Sequence, residues 1–119
     1  MNLQWQRQIE HWLRLMEQPH IVPAPHLALR RHNDVVYIEQ LNNAVLISRA
    51  RAVPQPDRIL LLSRLLGLLW PEAGEGLPMR AWLIGNELFL GVTAPQDSHA
   101  EFWFLLSERQ YLLLNRATL

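Results

Sequence analysis

Apolar residues recur at helical spacing in the first eighteen positions, MNLQWQRQIEHWLRLMEQ, where Leu3, Trp5, Ile9, Trp12, Leu13 and Met16 alternate with Gln, Arg and Glu. The pattern predicts an amphipathic helix with Asn2 as its N-cap and Pro19 as its stop. PHIVPAPH (19–26) has no periodicity and reads as a proline-rich connector. Three β-type runs follow: HLALRR (26–31), DVVYIEQL (34–41) and NAVLISRA (43–50). Asn33-Asp34 and Asn42-Asn43 tolerate positive φ and supply the turns of a three-stranded antiparallel meander. VPQPD (53–57) breaks the pattern, and Asp57 is placed to cap a leucine-rich helix running to Trp70-Pro71. EAGEG reads as a flexible loop. MRAWLIG (79–85) and ELFLGV (87–92) form a hairpin, with Gly85-Asn86 suited to a type II′ turn. SHAE (98–101) has the spacing of a capping box and opens a last helix over about 99–116. The element order α-β-β-β-α-β-β-α predicts an α+β fold, an antiparallel sheet packed by helices, as a single domain over residues 1–119.

The segment DRILLLSRLLGLLW (57–70) is too apolar for a helix that packs only on its own sheet. On a wheel at about 100° per residue, Ile59, Leu61, Leu62, Leu65, Leu66, Leu68, Leu69 and Trp70 cover roughly 200°. That is about twice the stripe a surface helix needs. One half of the arc satisfies packing within the chain, so the other half needs a second helix of the same chain or a second subunit. Both other helices have stripes of their own to bury. Covering four leucines at about 100 Å² each would yield roughly 10 kcal/mol before ordering costs. The helix is therefore expected to mediate a dimer, most simply about a two-fold axis. The expected interface comprises Leu61, Leu62, Leu65, Leu66, Leu69 and Trp70, with Trp82 beside them. A charge at Leu65 is expected to dissociate that dimer or aggregate the chain.

Composition narrows the function. Eleven basic residues, all Arg, balance eleven acidic ones, so the formal charge is zero. This argues against nucleic-acid or polybasic membrane binding. Half of the residues are apolar, which argues against disorder. The absence of cysteine removes disulfides, thiol catalysis and zinc–thiolate sites, and fits a reducing cytoplasm. The charged, Gln-rich N-terminal stretch does not read as a signal peptide, and no apolar run reaches the ~18 residues of a membrane span. His20, His26 and His32 lack a metal-ligand pattern. Asp97-Ser98-His99 cannot adopt triad geometry as consecutive residues, and the glutamates stand singly. No catalytic group, cofactor or metal site is expected. The five tryptophans and the leucine-rich helix instead indicate a protein-binding module.

The element order, the over-apolar second helix and the hairpin LPMRAWLIGNELFLGV (77–92) together resemble the class I type III secretion chaperones with the CesT/SycE-like fold, and the SycN-type gatekeeper chaperones in particular. The resemblance implies a small bacterial cytoplasmic chaperone, paired with itself or with a sister chaperone through its second helix. Its partner would be the N-terminal segment of a secreted effector or gatekeeper protein, kept soluble and secretion-competent by binding alone. It implies that the segment docks in extended form on the first helix and the sheet, at Leu3, Trp5, Trp12, Met16, Val35 and Tyr37. The competing expectation is a structural or adaptor subunit of another assembly.

Overall fold

A computed structural model describes residues 2–119. Helix α1 (Leu3–Leu15) begins at the predicted cap, where the Asn2 side chain accepts from the Trp5 amide at 2.7 Å. It ends before Pro19. Glu17 takes a positive φ of 64°, its amide donates to the Arg14 carbonyl, and the Gln18 amide donates to the Leu13 carbonyl. This is a Schellman closure with Glu where Gly is usual. Arg31 anchors it by donating to the Met16 carbonyl at 2.8 Å and pairing with Glu108 at 3.0 Å.

The meander forms as the alternation predicted: β1 (His26–Arg31), β2 (Asp34–Leu41) and β3 (Ala44–Ala52). The first turn is shifted by one residue. His32 takes the positive φ of 58°, and Asp34 enters β2 as the partner of both Arg31 and Arg51. The physical reason lies below the sheet, where Asp34 is buried between Arg49 and Arg51, a contact no local turn rule contains.

Helix α2 (Arg58–Leu66) is shorter than the predicted segment, which ran to Trp70. A 3₁₀ turn at Gln55–Asp57 precedes it, and the Asp57 side chain makes no capping bond. Beyond Gly67 the chain tightens into i→i−3 bonds, Leu68 to Leu65 and Leu69 to Leu66. A second 3₁₀ turn, Pro71–Gly74, occupies the expected flexible loop. Strands β4 (Met79–Ile84) and β5 (Glu87–Pro95) follow, joined at Gly85, whose φ of 58° suits the first position of a II′ turn.

Helix α3 (Ala100–Thr118) closes the fold, and here the capping box does not form. His99 is the N-cap residue without a side-chain bond, and the Ala100 amide donates to Gln8 Oε1 of α1 at 2.9 Å. Ser98 Oγ instead accepts from Trp103 Nε1 at 2.8 Å and donates to the Pro95 carbonyl, while Glu101 lies 3.4 Å from His11. Ser98→Ala should therefore orphan a buried indole N–H and cost about 1–3 kcal/mol. Glu101→Ala should cost under ~0.5 kcal/mol. Urea unfolding of the two variants checks this ordering, and a larger loss at Glu101 would restore the capping box.

The five strands form one antiparallel sheet in the order β1-β2-β3-β5-β4. All three helices pack on one face. One core cluster joins Trp5, Ile9 and Trp12 of α1, and Met16 at its C-cap, to Val36, Ile38, Ile47 and Val92, with Trp103 and Leu106 of α3. A second joins Leu61 and Leu65 of α2 to Leu88 and Leu90 of β5 and to Leu113 and Leu114 of α3. The helix-facing layer also holds a fully buried Arg49, which donates to Asp34 Oδ2 at 2.7 Å and to the Ser107 carbonyl at 2.9 Å under the Tyr111 ring.

Candidate functional site

Strand alternation and helix rotation together leave two apolar surfaces uncovered. The first is the outer side of α2. On the wheel the arc splits in half. Leu61 and Leu65 turn inward and are buried in the chain's own core, and Leu62, Leu68 and Leu69 are half-buried. The other half faces outward: Ile59 is 62%, Leu60 52%, Leu66 52% and Trp70 71% exposed. Of the residues expected at a dimer interface, Leu66 and Trp70 are thus free on the subunit surface, whereas Leu61 and Leu65 serve internal packing. Leu60, which the wheel placed outside the apolar arc, joins the exposed set, and so does Ile59. Trp70 also borders a groove against α3 lined by Leu68, Ala73 and Leu112, with Arg109 and Arg116 at its rim.

The second surface is the face of the sheet opposite the helices. In β4 the inward residues are Ala81 and Leu83, packed toward α2, so Trp82 points the other way. Its ring stacks on Phe89 at 5.4 Å and 10°, and Phe89 stacks on Tyr37 at 6.2 Å and 24°. Trp82 therefore lies on the opposite side of the sheet from α2, not beside it. Val35 and Tyr37 lie half-buried on this same face, in register with Ala50 and Ser48 of β3.

The remaining residues expected to face cargo are placed differently. Leu3 is exposed, but Trp5, Trp12 and Met16 fill the core between α1, the sheet and α3. The Trp5 ring lies 5.4 Å from that of Trp103, tilted by 42°, and its indole N–H donates to the Ala24 carbonyl at 3.2 Å. Their helical spacing marks the face that packs inward, so it identified core positions. Sequence reading missed Phe89. Its signal was present in ELFLGV, where Phe89 falls between Leu88 and Leu90 and so must face away from them.

Electrostatics place the strongest perturbation away from both surfaces. Burial raises the Asp34 carboxyl, but hydrogen bonds from Arg51 and Arg49, with their charges, outweigh it and hold the group below its ordinary range. Burial likewise pulls the Arg49 guanidinium down, opposed by the Asp34 hydrogen bond and charge. This network ties β2 and β3 to α3. Among the described residues no three His, Asp or Glu side chains converge as a metal site, and no helix is long and apolar enough to cross a membrane.

A five-stranded antiparallel sheet, covered by helices on one face and carrying uncovered apolar surfaces, is consistent with a chaperone-like fold. Residues 2–117 match the SsaM family, and the chain belongs to that type III secretion chaperone-like family. In structure it is similar to YbjN from E. coli, described as a candidate transcription regulator. The TM-score is 0.64 at 15% identity over 93% of this chain and 89% of that one, a likeness of fold alone. No curated protein matches the chain.

Proposed function

We infer that this protein is a type III secretion chaperone of the class I, CesT/SycE-like kind. It binds the N-terminal segment of a secreted effector or gatekeeper protein in the bacterial cytoplasm. Its action is physical: it shields apolar side chains of a non-globular segment and performs no catalysis, with no cofactor or metal. The observation that carries this reading is membership of the SsaM family over residues 2–117. The outward half of α2 supports the pairing it requires. Ile59, Leu60 and Leu66 of α2, with Trp70 just beyond its end, are large apolar residues left exposed. Covering them with a second copy or a sister chaperone would yield on the order of 10 kcal/mol before ordering costs.

The test is affinity purification of the tagged chain from its native bacterium, followed by mass spectrometry and light scattering. A stoichiometric secreted protein held through its N-terminal segment, on a paired chaperone, is the expected result. Recovery of apparatus subunits alone, with no secreted protein, would favour the adaptor reading. A bare monomer at micromolar concentration with neither partner would overturn the chaperone reading.

A further inference from the structure

The uncovered face of the sheet has a composition that its position does not require. An antiparallel sheet with one solvated face ordinarily turns polar residues outward there. Here the outward positions include Val35, Tyr37, Leu46, Ala50, Phe89 and Trp82. The end ring of the row has the smallest residue beneath it. Trp82 covers Gly91 so closely that a Cβ at that glycine would sit 2.8 Å from the indole. Tyr37, Phe89 and Trp82 form a row that runs across the strands, from β2 through β5 to β4.

Arginines stand on both edge strands of this face. In the pairing register, Arg30 lies beside Val35 on edge strand β1, and Arg80 lies beside Gly91 on edge strand β4. Both are exposed, and neither has a carboxylate within salt-bridge distance among the described residues. Glu39, an outward carboxylate of this face, is already within 3.1 Å of His26. The spacing suits an extended chain. Alternate side chains of a strand repeat every ~6.6 Å, close to the 6.2 and 5.4 Å between ring centroids. Three such anchors with a charge beyond each end take nine extended residues, about 26 Å, against about 19 Å across five strands, a difference of a few ångströms at each edge that the long Arg30 and Arg80 side chains bridge.

We propose that this aromatic row is a docking surface for an extended, non-globular peptide segment with apolar side chains at alternate positions and a carboxylate at each end. Resting on the chaperone reading above, it narrows the cargo to segments of that pattern. The apolar side chains lie on Tyr37, Phe89 and Trp82, and the end carboxylates pair with Arg30 and Arg80.

The experiment is fluorescence anisotropy with the purified full chain and the labelled peptide Glu-Ser-Leu-Ser-Leu-Ser-Leu-Ser-Glu. Trp82→Ser should weaken binding by ~10-fold or more. The exposed pair Arg30→Glu and Arg80→Glu should do the same, and this double variant should recover affinity for the peptide with Lys at both ends. Because that rescue requires a folded protein, it keeps the result readable if Trp82→Ser perturbs the sheet. An isomer with its leucines at helical spacing, or a labelled oligouridylate, should bind at least ~10-fold more weakly. Equal or tighter binding of either would overturn the proposal, as would no binding of the alternating peptide or no response to the substitutions. A secreted segment that co-purifies equally with wild type and Trp82→Ser would overturn this surface and leave the chaperone reading intact. Capture of no secreted segment would remove the chaperone reading itself.

Discussion

Asp34→Asn is expected to destabilise the subunit by about 3–5 kcal/mol, because it removes one partner from a buried ion-pair network. Asp34 is 1% exposed and Arg49 0%. Arg49 Nε donates to Oδ2 at 2.7 Å, Arg51 Nε to Oδ1 at 2.7 Å, and Arg51 Nη2 to Oδ2 at 2.9 Å. Asparagine keeps the shape but loses the charge, and its amide group turns a donor toward donors. Both guanidiniums then lose their counter-charge, and Arg49 has no route to water. Urea unfolding at pH 7 measures the loss, and a variant within 1 kcal/mol of wild type would disprove the role.

The same site fixes an acid dependence. The Asp34 carboxyl is held below its ordinary value in the folded state, so its contribution is present above the unfolded value of about 3.9. It is lost as pH falls through the folded value. Wild type should lose stability below about pH 4, and Asp34→Asn should show a flatter profile over that range. Parallel profiles for the two proteins would assign the acid loss to other carboxylates.

The second large effect separates two neighbouring leucines. Leu65→Asp should abolish folding of the subunit, since Leu65 is fully buried among Leu61, Leu88, Leu90, Leu113 and Leu114. An uncompensated carboxylate there costs several kcal/mol. Leu66→Asp places the same charge on a residue that is 52% exposed in the subunit. It should leave circular dichroism unchanged and abolish pairing through α2. Circular dichroism and light scattering on both variants give the two readouts. A folded, paired Leu66→Asp protein would exclude the outer side of α2 as the pairing surface. A folded Leu65→Asp protein would contradict the packing of α2 against β5 and α3.

Much of the fold was legible because it is local. Period-two alternation located five strands, and Gly85 and Asn43 marked two of the turns through their positive φ. Two of the misplacements share a cause, which is competition from distant groups. Asp34 opens β2 as the run 34–41 predicted, but it takes no part in the turn, which moves back to His32-Asn33 while two arginines of β3 claim the Asp34 carboxylate. Ser98 and Glu101 have capping-box spacing, yet Trp103 and His11 take their side chains.

The candidate surfaces follow the same division. The excess of leucine over residues 57–70 showed that α2 has two apolar sides, since its periodicity is intrinsic to the chain. Which side meets the core depends on where β5 and α3 lie, and only the packed structure turned Leu61 and Leu65 inward and Leu66 and Trp70 outward. Likewise the stripe of Trp5, Trp12 and Met16 was visible as a stripe, but helical spacing does not say whether a stripe is filled by the chain itself. The aromatic row exists only in three dimensions, because Tyr37, Phe89 and Trp82 come from three strands brought into register by the sheet. Sequence determined the elements, their order and the apolar surplus, which are set by near neighbours. Tertiary structure decided which of those surfaces stayed uncovered, because burial is a property of the partner as much as of the residue.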